Sequence, residues 1–278
     1  MSQVKNELLD NYMKKLELDE RCINTQKQYR RDIMQFFKWL DVRELEKRSV
    51  IEYKEYLEME NSPVTVNVKL TAINGFFSFL GREDLRVKQL KIQRKVYCNE
   101  DRELSKAEYM KLIKTAKGMG NVKLALIIQT IGSIGIRVSE LEYITVEALM
   151  RGKAHISLRG KNRIVLIPNK LKKALLPYIR QNKLQSGSIF TTRSGKPLDR
   201  SNIWRMMKNL CEVAGVESGK VFPHNLRHLF ARVFYAIDKD IAKLADVLGH
   251  SNINTTRIYI MSNGYEHRYL IESLNLIL

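Results

Sequence analysis

The stretch KAHISLRGKNRIVLIP, residues 153–168, stands out because it alternates like a β-hairpin in a chain of otherwise helical character. Before Gly160 apolar residues recur at every second position, which is the period of strands with one buried face, and after it a short apolar run, IVLI (164–167), follows. The pattern predicts two short antiparallel strands joined around Gly160-Lys161-Asn162. Because helical patterns flank them, the sequence predicts a mainly α protein with a small β-sheet, an α+β arrangement.

The first ninety residues show the spacing of helices that share one core. NTQKQYRRDIMQFFKWL (24–40) places its apolar side chains on one helical stripe, and SPVTVNVKLTAINGFFSFL (62–80) opens with a Ser-Pro pair typical of a helix start. With helices near 5–17 and from a Ser49 cap onward, we expect a four-helix unit. Its predicted exposed faces carry four basic residues: Lys27, Arg30, Arg31 and Lys69.

The helical pattern weakens after residue 80. Between Gly81 and Ser105 basic residues are frequent and no strong element is evident, which is typical of a linker. Ser105 and Glu108 then show the S-x-x-E pattern of a capping box, and helical spacing returns. We therefore expect a helical domain at 1–90, a basic linker at 91–103 and a second domain at 104–278.

The charge balance indicates a polyanionic partner. Lysine and arginine number 48 against 30 aspartate and glutamate residues, a net charge of +18. Folding does not need this excess, since like charges repel in the compact state. Binding to nucleic acid explains it, because each neutralised phosphate releases counterions. A generic basic surface is the alternative.

Cysteine usage and apolar runs indicate a cytoplasmic protein. Cys22, Cys98 and Cys211 are far apart and form no C-x-x-C pair, so we expect buried thiols rather than disulfides or a zinc site. The N-terminus lacks the apolar core of a signal peptide. The longest apolar run, 124–136, is too short to span a bilayer.

A first candidate site lies in GIRVSELEYI (135–144), after a buried helix predicted at 121–134. Arg137 and Glu140 are three residues apart and would share a helical face. An arginine beside an apolar stretch needs a partner or a ligand. Two interpretations stay open: a structural Arg137–Glu140 ion pair, or Arg137 gripping a phosphate with Glu140 in support.

A second candidate site lies in FPHNLRHLFARVFY (222–235), at the start of an amphipathic helix. His224 and Arg227 would share a face near the helix N-terminus, where anions bind well. His224 and His228 have H-x-x-x-H spacing, but the glutamate of H-E-x-x-H is missing and no third metal ligand is evident. The pattern therefore favours a phosphate or oxyanion site over a metal site.

The segment LGHSNINTTRIY (248–259) ends a helix at Gly249, exposes His250 and places Tyr259 nine residues later. Lys161 at the hairpin could donate a proton, or could be a solvated turn residue. Phosphodiester transfer needs a nucleophile, relief of developing charge and an acid for the leaving oxygen. Arginines could relieve the charge in place of metal ions, while a tyrosine attacks to form a phosphotyrosine.

Four motifs together resemble the tyrosine recombinases, the lambda-integrase and Xer-like phage integrase family. They are GIRVSEL, RGKNRIVLIP, PHNLRHLFA and LGHSNINTTRIY, in the family's order. The N-terminal helices are similar to the family's SAM-like core-binding domain. The resemblance implies a site-specific DNA recombinase that needs neither a cofactor, a metal nor ATP. It also implies two domains that form a C-shaped clamp on DNA.

The resemblance implies catalytic roles for six residues and supporting roles for two. The catalytic set is Arg137, Lys161, His224, Arg227, His250 and Tyr259, and the supporting pair is Glu140 and His228. Tyr259 matches the nucleophile, which would form a 3′-phosphotyrosine, and Lys161 matches the general acid. Because the hairpin is shorter than the family's common pattern, Lys153 and Arg163 stay alternatives to Lys161.

As partners, the resemblance implies double-stranded DNA with inverted-repeat sites and a tetramer that exchanges strands through a Holliday junction. The amphipathic segment 267–278 would dock into a neighbouring protomer. The mobile or chromosomal element served stays open, as do accessory proteins. Two other functions stay possible: a type IB topoisomerase-like enzyme, which the small size and the core-binding domain disfavour, and a non-catalytic DNA-binding protein, which the complete motif set disfavours.

Overall fold

The computed structural model describes residues 3–92, 102–158 and 160–260, and the chain divides into two compact units, Met1–Arg94 and Lys95–Leu278. The first unit contains α1 (Gln3–Leu18), α2 (Ile23–Leu40), α3 (Lys47–Glu60) and α4 (Pro63–Phe79), then a 3₁₀ turn (Glu83–Leu85). The second unit contains α5 (Lys106–Gly118), α6 (Val122–Ile134), a 3₁₀ segment (Val138–Tyr143), α7 (Val146–Arg151), β1 (Lys153–Leu158), β2 (Lys161–Leu166), α8 (Asn169–Gln181), α9 (Arg200–Ala214), a 3₁₀ turn (Ser218–Lys220), α10 (Pro223–Ile237), α11 (Ile241–Leu248) and α12 (Ile253–Arg257). The prediction of a mainly α protein with a small β-sheet is confirmed.

Four helices of the first unit enclose an aromatic core. Phe36 of α2 contacts Tyr53 of α3 and Phe77 of α4 edge-on, with ring centroids 5.0 and 5.8 Å apart. Such edge-to-face pairs add to the free energy gained by apolar burial. One cap differs from the prediction. Ser49 is not the N-cap of α3 but its third residue, and its hydroxyl accepts from the backbone N–H of Glu46.

The segment after α4 belongs to the first unit rather than to a linker. The Asn74 side chain makes paired hydrogen bonds to the backbone of Val87, and Asn67 does the same to Leu90. Val87 is buried in the same core as the helices. Residues 81–90 are therefore packed against α4 and the core of the first unit. Most of the predicted linker at 91–103 lies outside the described residues.

The hairpin of the second unit is shorter at its turn than predicted. β1 and β2 pair antiparallel, with Leu158 opposite Lys161, so Lys161 and Asn162 are strand residues and not turn residues. Val165 and Ile167 face the core, while Ile164 is exposed. The run IVLI is apolar at every position, so alternation alone could not identify the buried face.

The core of the second unit is built around α6, which is buried along most of its length. α6 ends at Gly135, which has a φ of +61° and adopts the left-handed conformation that glycine tolerates best. A side chain at this position would also collide with the ring of Phe230 on α10. Gly135 thus lets α10 approach the end of α6 closely.

The cysteine prediction holds for one residue and fails for another. Cys211 is buried, and its thiol donates to the carbonyl of Met207 one turn earlier. Cys22 is exposed, because it precedes the first turn of α2 at the surface. Cys98 lies outside the described residues. Among the described helices, none combines the length and the apolar character that crossing a bilayer requires.

Candidate active site

Three segments that are far apart in sequence converge in the second unit. They are the entry to the 3₁₀ segment with Arg137 and Glu140, the first two turns of α10, and the chain from the end of α11 to Tyr259. Of the predicted catalytic set, Arg137, His224, Arg227, His250 and Tyr259 lie together there, and so does the supporting pair Glu140 and His228.

Arg227 lies at the bottom of this cluster with an exposed fraction of 0%. Its Nη1 donates to the carbonyl of Gly135 at 2.8 Å, and its Nη2 donates to the carbonyl of Leu248 at 2.7 Å. Both carbonyls belong to helix ends, which have no intrahelical donor left for them. Burial, followed by the positive charge of Arg137, lowers the pKa of Arg227 to about 10. The side chain therefore stays cationic at neutral pH.

A second hydrogen bond from Nη2 of Arg227 fixes the tautomer of His250. The two nitrogen atoms, Nη2 of Arg227 and Nε2 of His250, are 2.8 Å apart. Since a guanidinium only donates, Nε2 must accept and the proton must sit on Nδ1. Nδ1 lies 2.9 Å from the hydroxyl oxygen of the buried Thr256. Burial, with the charge of Arg227 second, lowers the pKa of His250 to about 4, so the ring is neutral at pH 7.

Glu140 is the buried anion of the site. Its carboxylate accepts from the backbone N–H of Arg137 at 2.7 Å and from Nη1 of Arg137 at 2.9 Å. It also accepts from Nη2 of Arg163 at 2.6 Å, and Nη1 of Arg227 lies 3.8 Å away. Burial alone would raise the pKa of Glu140, but the Arg137 N–H and the charge of Arg163 outweigh it and lower the pKa.

The Arg137–Glu140 contact shows that the two interpretations of this pair are compatible. The ion pair exists, and it holds Arg137 at the surface of the site, where 40% of its side chain is exposed. Arg137 is thus the accessible guanidinium and Arg227 the buried one.

Tyr259 is almost fully buried, with 5% of its surface exposed, but its surroundings are histidines as well as apolar side chains. Its ring packs edge-on against His228, with centroids 4.1 Å apart, and stacks on His250 at 5.3 Å. The phenol oxygen lies 3.3 Å from Nε2 of His224, which is exposed. The hydroxyl therefore lies beside an exposed imidazole although the ring is covered.

His224 and Arg227 differ in depth, whereas the sequence predicted one shared face. Burial, then the charges of Arg227 and Arg137, lowers the pKa of His224. Burial and the neighbouring His224 lower the pKa of His228 to about 3. The phenol of Tyr259 is therefore surrounded by neutral imidazoles at neutral pH.

The hairpin candidates are only partly accounted for. The side chain of Lys161 lies outside the described residues, although its backbone forms the first pair of β2. Lys153 pairs with Leu166 at the far end of the hairpin. Arg163 is held by Glu140 and by the carbonyl of Val247, so its guanidinium is not free to protonate a leaving group.

The four residues of the first unit that were predicted to contact DNA differ in exposure. Lys27, Arg30 and Arg31 are exposed, and Arg30 pairs with Asp10 at 2.8 Å. Lys69 departs from the prediction, because only 12% of its side chain is exposed and it lies 3.8 Å from the buried carboxylate of Asp32. The predicted docking segment 267–278 lies outside the described residues.

Sequence reasoning missed the residues that hold α10 in place. The buried Asn225 donates to the carbonyls of Arg102 and Lys220, and Arg232 donates to the carbonyl of Leu104 and pairs with Glu103. Thr256, the partner of His250, was also missed. None of these has a motif of its own. Among the described residues, no group of three or more His, Cys, Asp or Glu side chains is arranged to hold a metal ion.

Two family models match the chain, one in each unit. Residues 102–265 match the model of the phage integrase family, and residues 8–86 match that of the phage integrase N-terminal SAM-like domain. The first match alone covers more than half of the chain.

Curated relatives agree over nearly the full length. Tyrosine recombinase XerA of Pyrococcus furiosus is 26% identical over 284 residues, covering 99% of this chain and 96% of the relative. Tyrosine recombinase XerD of Vibrio cholerae is 25% identical over 256 residues, covering 85% of each chain.

Solved structures show the same fold. A lambda integrase dimer bound to a COC′ core site superposes with a TM-score of 0.75 at 17% identity, covering 93% of this chain and 96% of that one. XerH recombinase bound to its difH substrate gives 0.71 at 18% identity, covering 96% and 83%. The resemblance stated from the four motifs is confirmed, and this chain belongs to the phage integrase family, the tyrosine recombinases.

Proposed function

We propose that this protein is a site-specific recombinase that cuts and rejoins duplex DNA through a covalent bond between Tyr259 and a DNA 3′-phosphate. The observation that carries the proposal is the 3.3 Å contact between the Tyr259 hydroxyl and Nε2 of His224, beside Arg137 and above the buried Arg227. A phenol, a neutral base and two guanidiniums in one place suit phosphoryl transfer to a side chain.

The nucleophile and its base come from the same chain. The lowered pKa of His224 keeps its imidazole neutral, so Nε2 can accept the phenol proton. The phenol oxygen then forms a bond to phosphorus, and the bond from phosphorus to the 5′ oxygen breaks. The departing oxygen takes up a proton and becomes a 5′-hydroxyl. Lys161 is our candidate for that proton, on the strength of the motif match alone.

The two arginines receive the phosphate at different stages. Arg137 is the exposed cation, so it is the first guanidinium that an incoming phosphate meets. Arg227 keeps its Nε–H unpaired among the described residues, and this donor can serve a phosphate once the covering Tyr259 ring moves. Glu140 orients Arg137, while His250 stays a neutral acceptor for Arg227. Charge relief by buried donors is worth about 10² to 10³ in rate per donor.

The substrate is DNA, which the net charge of +18 favours. Relatives of this fold were solved on DNA, among them a lambda integrase tetramer bound to a Holliday junction. We infer that this chain also acts as a tetramer on paired inverted-repeat sites. In this proposal the first unit supplies further backbone contacts through Lys27, Arg30 and Arg31, and segment 267–278 joins the protomers.

The test uses a duplex that carries the inverted repeats flanking the gene, with a nick placed so that the cut fragment diffuses away. The wild-type protein should form a covalent adduct on the 3′ side of the cut, and Tyr259→Phe should form none. Absence of an adduct on every flanking repeat would overturn the proposal. Strand exchange that needs two sites supports a recombinase, whereas relaxation of a supercoiled plasmid without a second site supports a topoisomerase.

A further inference from the structure

Arg163 on β2 has the environment of a buried bridging residue. Only 12% of its side chain is exposed. Its Nη2 donates to the Glu140 carboxylate at 2.6 Å, and its Nη1 donates to the carbonyl of Val247 at 2.6 Å. The two acceptors, Glu140 and Val247, lie 23 and 84 residues away from Arg163 in sequence. One guanidinium therefore joins the hairpin to the 3₁₀ segment and to α11.

The bond to Val247 completes a helix end that carries a catalytic candidate. The last carbonyls of α11 lack intrahelical donors, and those of Val247 and Leu248 are taken by Arg163 and Arg227 respectively. Cations at a helix C-terminus also interact favourably with its dipole. His250 follows within two residues, so its position depends on both arginines.

The packing at Gly249 is a second, independent sign that Arg163 holds the turn between α11 and His250. Gly249 has a φ of +65°, which favours glycine, and a side chain there would collide with Cδ of Arg163. The arginine stem thus lies directly against the backbone that turns from α11 to His250. Contact through both the stem and the head group fixes this turn relative to β2.

We infer that Arg163 is a positioning residue for the recombination chemistry, holding Glu140 and the Val247–His250 turn in the geometry that the catalytic residues need. The inference rests on the proposed function. Lysine cannot replace it, because one ammonium nitrogen does not reproduce donors on two separate nitrogen atoms, one at the carboxylate and one at the carbonyl. In this role both Nη atoms of Arg163 are engaged by protein acceptors, which favours a positioning role over that of the acid.

The test compares Arg163→Lys and Arg163→Gln with Ile164→Thr, a neighbour on the same strand whose side chain is exposed. Three quantities are measured: DNA affinity, the single-turnover rate of adduct formation on the nicked duplex, and the NMR titration of His250, one of five histidines in the chain. The titration matters because it reports the geometry around His250 without any cleavage.

We expect both Arg163 variants to bind DNA with unchanged affinity and to cleave about 10- to 100-fold more slowly, as for a displaced catalytic group. The pKa of His250 should rise in both variants as its contact with Arg227 loosens. Ile164→Thr should match the wild type in all three measurements. Wild-type cleavage rates with an unmoved His250 titration in a folded Arg163→Gln would overturn the inference. No adduct from the wild type would instead refute the proposed function, and the titration would still test Arg163.

Discussion

Nη2 of Arg227 donates to Nε2 of His250 across 2.8 Å, and this single bond decides which nitrogen of the histidine carries its proton. The same Nη2 also donates to the carbonyl of Leu248, so the buried arginine holds both the end of α11 and the histidine that follows it. His250 is thereby fixed as an acceptor on one side and a donor to Thr256 on the other.

Tyr259→Phe should abolish the covalent adduct while leaving DNA binding intact. The ring contacts with His228 and His250 remain, and only the 3.3 Å contact of the hydroxyl is lost. The free energy of unfolding should therefore change by no more than about 1 kcal/mol. Tyr235→Phe, on α10 and packed against the same cluster, is the matched control and should cleave normally. An adduct formed by Tyr259→Phe would show that another nucleophile acts.

The two arginines should separate catalysis from stability. Arg137→Ala and Arg227→Ala should each slow cleavage by about 10² to 10³ or more, since each removes a proposed phosphate donor. Arg227→Ala should also lower the free energy of unfolding by about 3–5 kcal/mol, because it leaves two buried carbonyls and the His250 nitrogen without donors. Urea unfolding and single-turnover cleavage measure the two effects. Equal stability losses in both variants would contradict the difference in burial.

Acid should destabilise the folded protein between about pH 6.5 and pH 4. The native pKa values of His228 and His250 are about 3 and about 4, below the 6.5 of unfolded histidine. In this window the unfolded chain binds protons that the native state refuses, so stability is present above pH 6.5 and is lost as the pH falls. His228→Phe should flatten the slope by up to about 1.4 kcal/mol per pH unit.

Melting curves at several pH values measure this slope. His155→Phe is the control, because His155 lies on the exposed side of β1. A wild-type slope that His228→Phe leaves unchanged would contradict the burial of a neutral His228.

DNA binding should weaken steeply with salt, and the basic residues of the first unit should contribute unequally. Lys27→Ala should reduce the slope of log affinity against log salt by about 1, as for one lost phosphate contact. Lys69→Met should leave the slope unchanged, because Lys69 is engaged with Asp32 and little exposed. Its effect should appear in thermal stability instead. A slope change for Lys69→Met equal to that for Lys27→Ala would place Lys69 on the DNA.

Sequence patterns predicted the start of a helix well where that start depends on capping residues close in sequence. The capping box predicted from Ser105 and Glu108 forms at the start of α5, Lys106–Gly118. The helix opened by Ser62 and Pro63 also begins where the cap predicts. Of the six residues to which the family motifs assign catalytic roles, five lie close together in the structure.

The sequence could not predict how deeply each site residue is buried or which groups it contacts. Nothing in H-x-x-R shows that the arginine is buried under the tyrosine while the histidine stays exposed, since that depends on where Gly135 and Leu248 lie. The role of Arg163 was hidden for the same reason, because its carbonyl partner is 84 residues away. Lys69 appeared exposed by its spacing on α4, but the buried Asp32 of α2 draws it inward.

The two guanidiniums that cap α11 have a consequence for folding. The N–H groups of Gly249 and His250 satisfy the carbonyls of Ala245 and Asp246 locally, but those of Val247 and Leu248 need donors that arrive from β2 and from α10. Such long-range closures form late and are lost early when a domain opens. A partly unfolded chain would therefore carry Tyr259 without the contacts that hold Arg227 and His250 beside it.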